Sequence, residues 1–389
     1  MAHSSGPTKD QSFTEHRITL RGPAELADAL PYLLGYHPDD SIVVIGIHGG
    51  SGRFGGRIRL GIPSVPQEWA DTARQVADCL LDNSEAHGAR PDGAIVYLCQ
   101  DPAAGESGHG VMERLRPLAQ QLRTACGALD MPVYEALCLS GGRYWSYCCP
   151  DPHCCPPDGT PLGPPGTSTM AAAASYAGIQ VRGSLKELRA RLAPLGPPLA
   201  AGQERALDEA GAALLPRMLG AADRDRVRTE TLDLGARLLA RYRSAPVAGE
   251  PLDEPAIDAR DDALLADTEA AALILGLQDR ITRDQAAEWM EGTDTGPALR
   301  LWRALSRRCV GAYTEHAAAP LTLAGWVAWS SGDEPGARIA LGRALEVDPH
   351  YVFARLLHSA CNGGLDPEPL RDCLRKQRAA RGSTRPRPA

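Results

Sequence analysis

Arg143-Tyr144-Trp145-Ser146-Tyr147-Cys148-Cys149-Pro150-Asp151-Pro152-His153-Cys154-Cys155-Pro156-Pro157-Asp158-Gly159 is the stretch at which this chain changes character. Before it, apolar runs of strand type alternate with helical stripes; after it, only helical spacing recurs. Arg143–Tyr147 reads as a last strand, and the prolines that follow as a stiff junction over 148–180. The 389 residues then divide into a disordered start (1–15), an α/β domain (16–147), the junction, a helical domain (181–370) and a disordered basic tail (371–389).

Outward toward the N-terminus, Ile42–Ile47 is an unbroken apolar run rich in β-branched residues, the mark of a strand covered on both faces; Ala94–Cys99 is of the same buried type, and Val133–Leu139 makes a further strand. Arg57–Ile62 alternates at period two and should pair with Ile42–Ile47 as an antiparallel hairpin across Gly49-Gly50-Ser51-Gly52. Arg17–Leu20 is a further short strand candidate. Helices follow from Gly22-Pro23, from the stripe Trp69, Ala73, Val76 and Leu80, and from Val111, Leu115, Leu118 and Leu122. Two strand–helix–strand units return the chain in the same direction. The expected fold is therefore a mixed sheet with a parallel centre, antiparallel additions and helices on its faces.

Outward toward the C-terminus, Leu207, Gly211, Leu214 and Met218 form one apolar stripe, and Leu232, Leu238, Leu239 and Tyr242 another. Glu250 to Glu269 holds eight acids against Arg260 alone and reads as a connector. Thr282 with Gln285 reads as a capping box. Between Leu321 and Pro349, Gly325, Gly332, Ala337, Leu341, Ala344 and Leu345 fall at the offsets of a tetratricopeptide repeat, a close helical hairpin over 321–349. Such a hairpin offers a groove for a partner peptide, or simply closes a core.

Composition bounds the function classes. With 43% hydrophobic and 23% charged residues, the chain can bury a sizeable core. The net charge is −7, yet the tail from Arg371 carries +6, which leaves −13 on the rest. An acidic body argues against nucleic acid as a partner, apart from the tail. No apolar run is long enough to span a membrane, and Met1–Gln11 is too polar for a signal peptide, so the expected compartment is the cytoplasm. There, eleven cysteines are expected as free thiols or metal ligands rather than disulfides.

Leu20–Leu26, Tyr32–Ser41, Arg143–Tyr147 with Cys154-Cys155-Pro156 and Gly159, and Leu323–Trp329 together resemble an actinobacterial family, domain of unknown function 4192. The resemblance spans roughly Ile18 to Leu365. It implies a shared fold and supplies no activity, substrate or established site.

Candidate chemistry falls in three places. The loop Gln100–Gly110 leads from a strand into a helix, where backbone N–H groups can meet an anion. Asp101, Ser107 and His109 lie on it, Ser140 closes the neighbouring strand, and His37, Asp39 and Asp40 crowd the turn before another. No Walker lysine, dinucleotide fingerprint or nucleophile elbow accompanies them, and the glycines after His48 are wanted by a hairpin turn. Second, Cys148, Cys149, His153, Cys154 and Cys155 offer thiolate and imidazole ligands for zinc, although no second pair follows downstream. Third, the helical region offers a surface for a protein partner. The leading reading is a non-catalytic interaction or regulatory protein; an enzyme or small-ligand receptor with its site at the strand ends, and a zinc-stabilised scaffold, are the alternatives.

Overall fold

The computed structural model describes residues 20, 22–50, 52–86, 88–149, 151, 153, 155–164, 166–220, 222–245 and 254–384. The strand candidate at Arg17–Leu20 lies outside them except for its last residue, as do residues 1–15 and Cys154. Two compact units result, residues 1–182 and 183–389.

The first unit is built on a six-stranded mixed sheet in the order β2-β1-β3-β4-β5-β6. Its strands are β1 (Ser41–His48), β2 (Arg53–Gly61), β3 (Gly93–Cys99), β4 (Val133–Ser140), β5 (Arg143–Ser146) and β6 (Thr160–Pro161). The hairpin of β1 and β2 forms as its alternation predicts, and β3 and β4 pair in parallel. The connection from β2 through α2 (Trp69–Ala86) does not set neighbours side by side, however: β1 lies between β2 and β3 and runs antiparallel to both. One adjacent parallel pair remains at the centre. Strand β2 also starts earlier than Arg57, because Gly55-Gly56 sit in a bulge where Ile45 faces Arg57 and Ile47 faces Phe54. A side chain at Gly55 would stand 2.2 Å from the His48 ring, so the strand runs through these glycines instead of turning at them.

Helix α2 and α3 (Gly108–Ala128) cover one face, where Val76, Leu80, Leu115 and Leu118 meet Val44, Val96 and Ala136. On the other face the buried Tyr97 donates its hydroxyl to the Leu26 carbonyl of α1 (Pro23–Leu34), on which α4 (Thr169–Tyr176) packs. Both faces are filled, which is why Ile42–Ile47 of β1 and all of β3 carry no charged residue.

The cysteine- and proline-rich stretch is part of this unit rather than a hinge. Trp145 Nε1 donates to the Pro157 carbonyl, Arg143 to those of Asp158 and Gly159, and β6 extends the sheet beyond β5. Gly159 has φ 74°, and a Cβ there would stand 2.4 Å from the Trp145 ring, so only glycine closes this staple.

The second unit is all helical: α5 (Leu185–Ala190), α6 (Leu199–Leu219), α7 (Arg224–Ser244), α8 (Glu254–Ala263), α9 (Asp267–Gly276), α10 (Arg280–Ala286), α11 (Thr295–Arg307), α12 (Ala318–Ser330), α13 (Glu334–Val347), α14 (Val352–Asn362) and α15 (Glu368–Thr384). A close hairpin of α12 and α13 forms as expected. A Cβ on Gly325 would lie 2.6 Å from Leu341 Cγ, so a side chain at this crossing is excluded. Every residue of α12 is buried, Trp326 donates to the Ala287 carbonyl, and Trp289 stacks on Trp302 at 5.7 Å.

Three sequence expectations change here. The acidic stretch is not merely a connector: α8 and the first residue of α9 present Asp258, Asp261, Asp262 and Asp267 to Arg191, Arg300, Arg307 and Arg308. Asp279, not Thr282, caps α10, accepting from both the backbone N–H and the hydroxyl of Thr282. The basic tail is helical to Thr384: Leu374 joins the core, and Arg371 and Arg375 pair with Glu291.

Candidate functional site

At the sheet's carboxyl edge, register brings the sequence candidates into one neighbourhood. Ser41 lies opposite Cys99, and Cys99 opposite Leu139, so the turn before β1, the loop after β3 and the end of β4 share one edge. Their polar groups are occupied by one another. Asp40 accepts from Gln100 at 2.9 Å, Gln100 accepts from Arg114, and Arg114 grips Glu106 through two hydrogen bonds, holding that carboxyl below its usual range. Asp101 accepts the Gly141 N–H at 2.8 Å, which fixes the turn from β4 to β5. Ser107 caps α3 by accepting from Gly110. Ser41 donates to the Asp39 carbonyl and accepts from Arg59. His37 and His109 are exposed, and His109 acts electrostatically on Glu113 of its own helix.

Ser140 differs. It is 2% exposed, shares its strand face with Ala136 and Cys138 under the α2–α3 layer, and its hydroxyl finds no hydrogen-bond partner among the described residues. The backbone of α3 closes over it, since a Cβ on Gly108 would lie 3.3 Å from the Ser140 carbonyl oxygen and 2.7 Å from Trp145. The edge is therefore packed and internally bonded.

In the cysteine loop, backbone bonds set the shape. Cys148 and Cys149 donate their N–H groups to Ser146 Oγ, and His153 donates its own to Asp151 in an Asx-type turn. Burial raises the Cys148 thiol pKa, with the Glu135 charge adding to it. Among the described residues, no group of three or more His, Cys, Asp and Glu side chains is arranged to hold a metal ion.

A site that the motifs did not announce lies in the helical unit, an open cleft of about 320 Å³. That volume falls at the small end of the range that takes organic ligands. Helix α6 supplies one wall with Gly211, Leu214, Leu215 and Met218; Leu275 of α9, Tyr313 and His316 supply the others. Gly211 makes the room: a Cβ there would already touch the Tyr313 hydroxyl at 3.5 Å. Leu215 stands 57% exposed at the lining.

Few polar groups line this cleft. Tyr313 donates its hydroxyl to Asp208 Oδ1 at 2.9 Å and meets the His316 ring edge-on, with centroids 5.4 Å apart. Burial lowers the His316 pKa and favours the neutral imidazole; its Nδ1 is buried with no hydrogen-bond partner. Gln278 donates to the carbonyls of Ile274 and His316. Deeper in the same unit, Arg308 ties α6 to α9 by donating to Gln203 at 2.7 Å and to Asp267 at 2.6 Å. A second cavity, beside Arg191 and Arg303, measures about 10 Å³, enough for one water.

The stripe Leu207, Gly211, Leu214 and Met218 was the available signal for the cleft. Leu207 is core, whereas the next three line the opening. What separates them is Gly311–Ala317, a 3-10 segment about a hundred residues on that carries Tyr313 and His316.

Fold and cleft together define a two-unit protein, an α/β sheet followed by an all-helical body. The chain belongs to the family described as Domain of unknown function (DUF4192), whose model matches residues 23–368. No curated protein and no solved structure matches the chain. Among the described residues no helix is long and apolar enough to cross a membrane.

Proposed function

We propose that this is a non-catalytic binding protein of the cytoplasm whose helical unit takes a small ligand with an apolar body in the cleft between α6, α9 and the 3-10 segment. The observation that carries this reading is the open 320 Å³ volume against an apolar wall that includes the 57%-exposed Leu215. A filled core would leave neither. The cytoplasmic assignment rests on the five buried free thiols Cys99, Cys126, Cys138, Cys309 and Cys361.

The test is thermal denaturation with 1-octanol as a probe. The alcohol should raise the melting temperature of the wild type with dose and leave Gly211→Leu unmoved. Leucine fits the helix better than glycine does and occupies the cleft, so this variant folds. No shift in the wild type, or equal shifts in both proteins, would sink the reading.

A second reading has its own observation. The α12–α13 hairpin has tetratricopeptide-like residues, and α14 beyond it exposes Val352 (65%) and Leu356 (64%), one turn apart. The outer helix of such an array is ordinarily polar, so this face suits a second copy of the chain. Mass measured at rising concentration decides it. Growth past one chain that Val352→Glu with Leu356→Glu abolishes supports self-association; a constant single-chain mass removes it.

A further inference from the structure

The cleft's apolar walls are uncharged, but its one ionised lining group is a carboxylate. Asp208 stands at the end of the Tyr313 hydroxyl, and no lysine or arginine is among the residues that line the opening. Two more acids face the same segment from outside. Glu204 accepts the Ala312 N–H at 3.2 Å and acts on Tyr313, and Glu315 acts on His316. The imidazole, kept neutral by burial, adds no positive charge.

A carboxylate offers up to four acceptor positions, and the Tyr313 hydroxyl takes one. Tyr313 and His316, their rings edge-on to each other, stand beside it. The remaining walls, Leu214, Leu215, Met218 and Leu275, accept only hydrocarbon. Charge complementarity therefore selects among apolar ligands. An anion would meet repulsion, and a neutral alcohol would leave the carboxylate unused.

We infer that the cleft is a site for an amphiphilic amine, with its apolar body between α6 and α9 and its ammonium on Asp208 beside the Tyr313 ring. The inference rests on the binding reading above and adds the chemical class. Asp208 is exposed to water, which limits the charge term to a factor of roughly two to five.

Calorimetric titration of the full chain with octylammonium, 1-octanol and octanoate tests it. Octylammonium should bind roughly two- to fivefold tighter than 1-octanol, and octanoate weakest of the three. Asp208→Asn keeps the acceptor for Tyr313 and removes the charge. It should equalise octylammonium and 1-octanol while leaving the 1-octanol affinity unchanged. Gly211→Leu should weaken all three probes, which separates cleft binding from adsorption. Equal binding of amine and alcohol by the wild type, or an amine preference that survives Asp208→Asn, would overturn the amine assignment and leave the apolar cleft standing. If no probe binds, both fall.

Discussion

The carboxyl edge of the sheet and the helical cleft are opposites. The edge is crowded with Asp40, Gln100, Asp101, Glu106, Ser107 and Arg114, and these side chains fix turns, cap a helix or pair with each other. In the cleft a single carboxylate, a tyrosine and an imidazole stand around an open apolar volume. Density of polar residues is thus a poor guide to a site. Capacity left unused beside a space is a better one, because a group already bonded within the fold has to be released before it can bind anything else.

The largest test breaks the support of the cleft. Arg308 is 6% exposed and bonds Gln203, Asp267 and the carbonyls of Asp262 and Leu265. Arg308→Leu leaves Gln203 and the Leu265 carbonyl buried and unpaired, and should cost about 2–4 kcal/mol in denaturant unfolding and abolish 1-octanol binding. A loss under about 1 kcal/mol would show that the arginine–aspartate cluster is incidental. On the other unit, Gly159→Ala should cost about 1–3 kcal/mol, through both its left-handed backbone and the Trp145 contact, with cleft binding intact.

Smaller still is the change from Asp101→Ala. It removes the acceptor of the Gly141 N–H and should cost about 1 kcal/mol, again without effect on the cleft. A strand-end ligand site would instead lose affinity with this variant.

Acidity gives the mildest perturbation. Burial holds His316 and His358 below the ordinary imidazole value. The unfolded chain therefore binds more protons between the two values, and stability should fall as pH drops through the unfolded value near 6.5. A melting temperature that rises on acidification to pH 5.5 would contradict this. For the thiols, burial pushes Cys126 and Cys138 up to about 11, so Cys79 and Cys373, both exposed, should alkylate first at pH 8. A zinc chelator tests the metal reading of Cys148–Cys155: unchanged native mass and melting would remove it, and a mass loss would support it.

Much of the sheet could be read directly, because Ile42–Ile47 and Ala94–Cys99 are buried throughout and carry no charged residue, while Val133–Leu139 admits only Glu135. Strand order was not legible, since a crossover helix fixes direction but not which strand lies between. The two-residue β6 has too little pattern to read, and its place depends on Trp145 and Gly159. The acids of α8 read as solvated because their arginine partners lie some forty residues on, in and just after α11. The cleft escaped for the same reason. Gly211, Leu214 and Met218 share the spacing of a core stripe, and only Tyr313 and His316, far along the chain, hold the space open.

The contrast between edge and cleft comes to one titration: 1-octanol into wild type, Gly211→Leu and Asp101→Ala. The account predicts binding to the wild type and to Asp101→Ala with equal affinity, and none to Gly211→Leu. Binding that Asp101→Ala abolishes and Gly211→Leu preserves would place the site at the sheet's edge and contradict it.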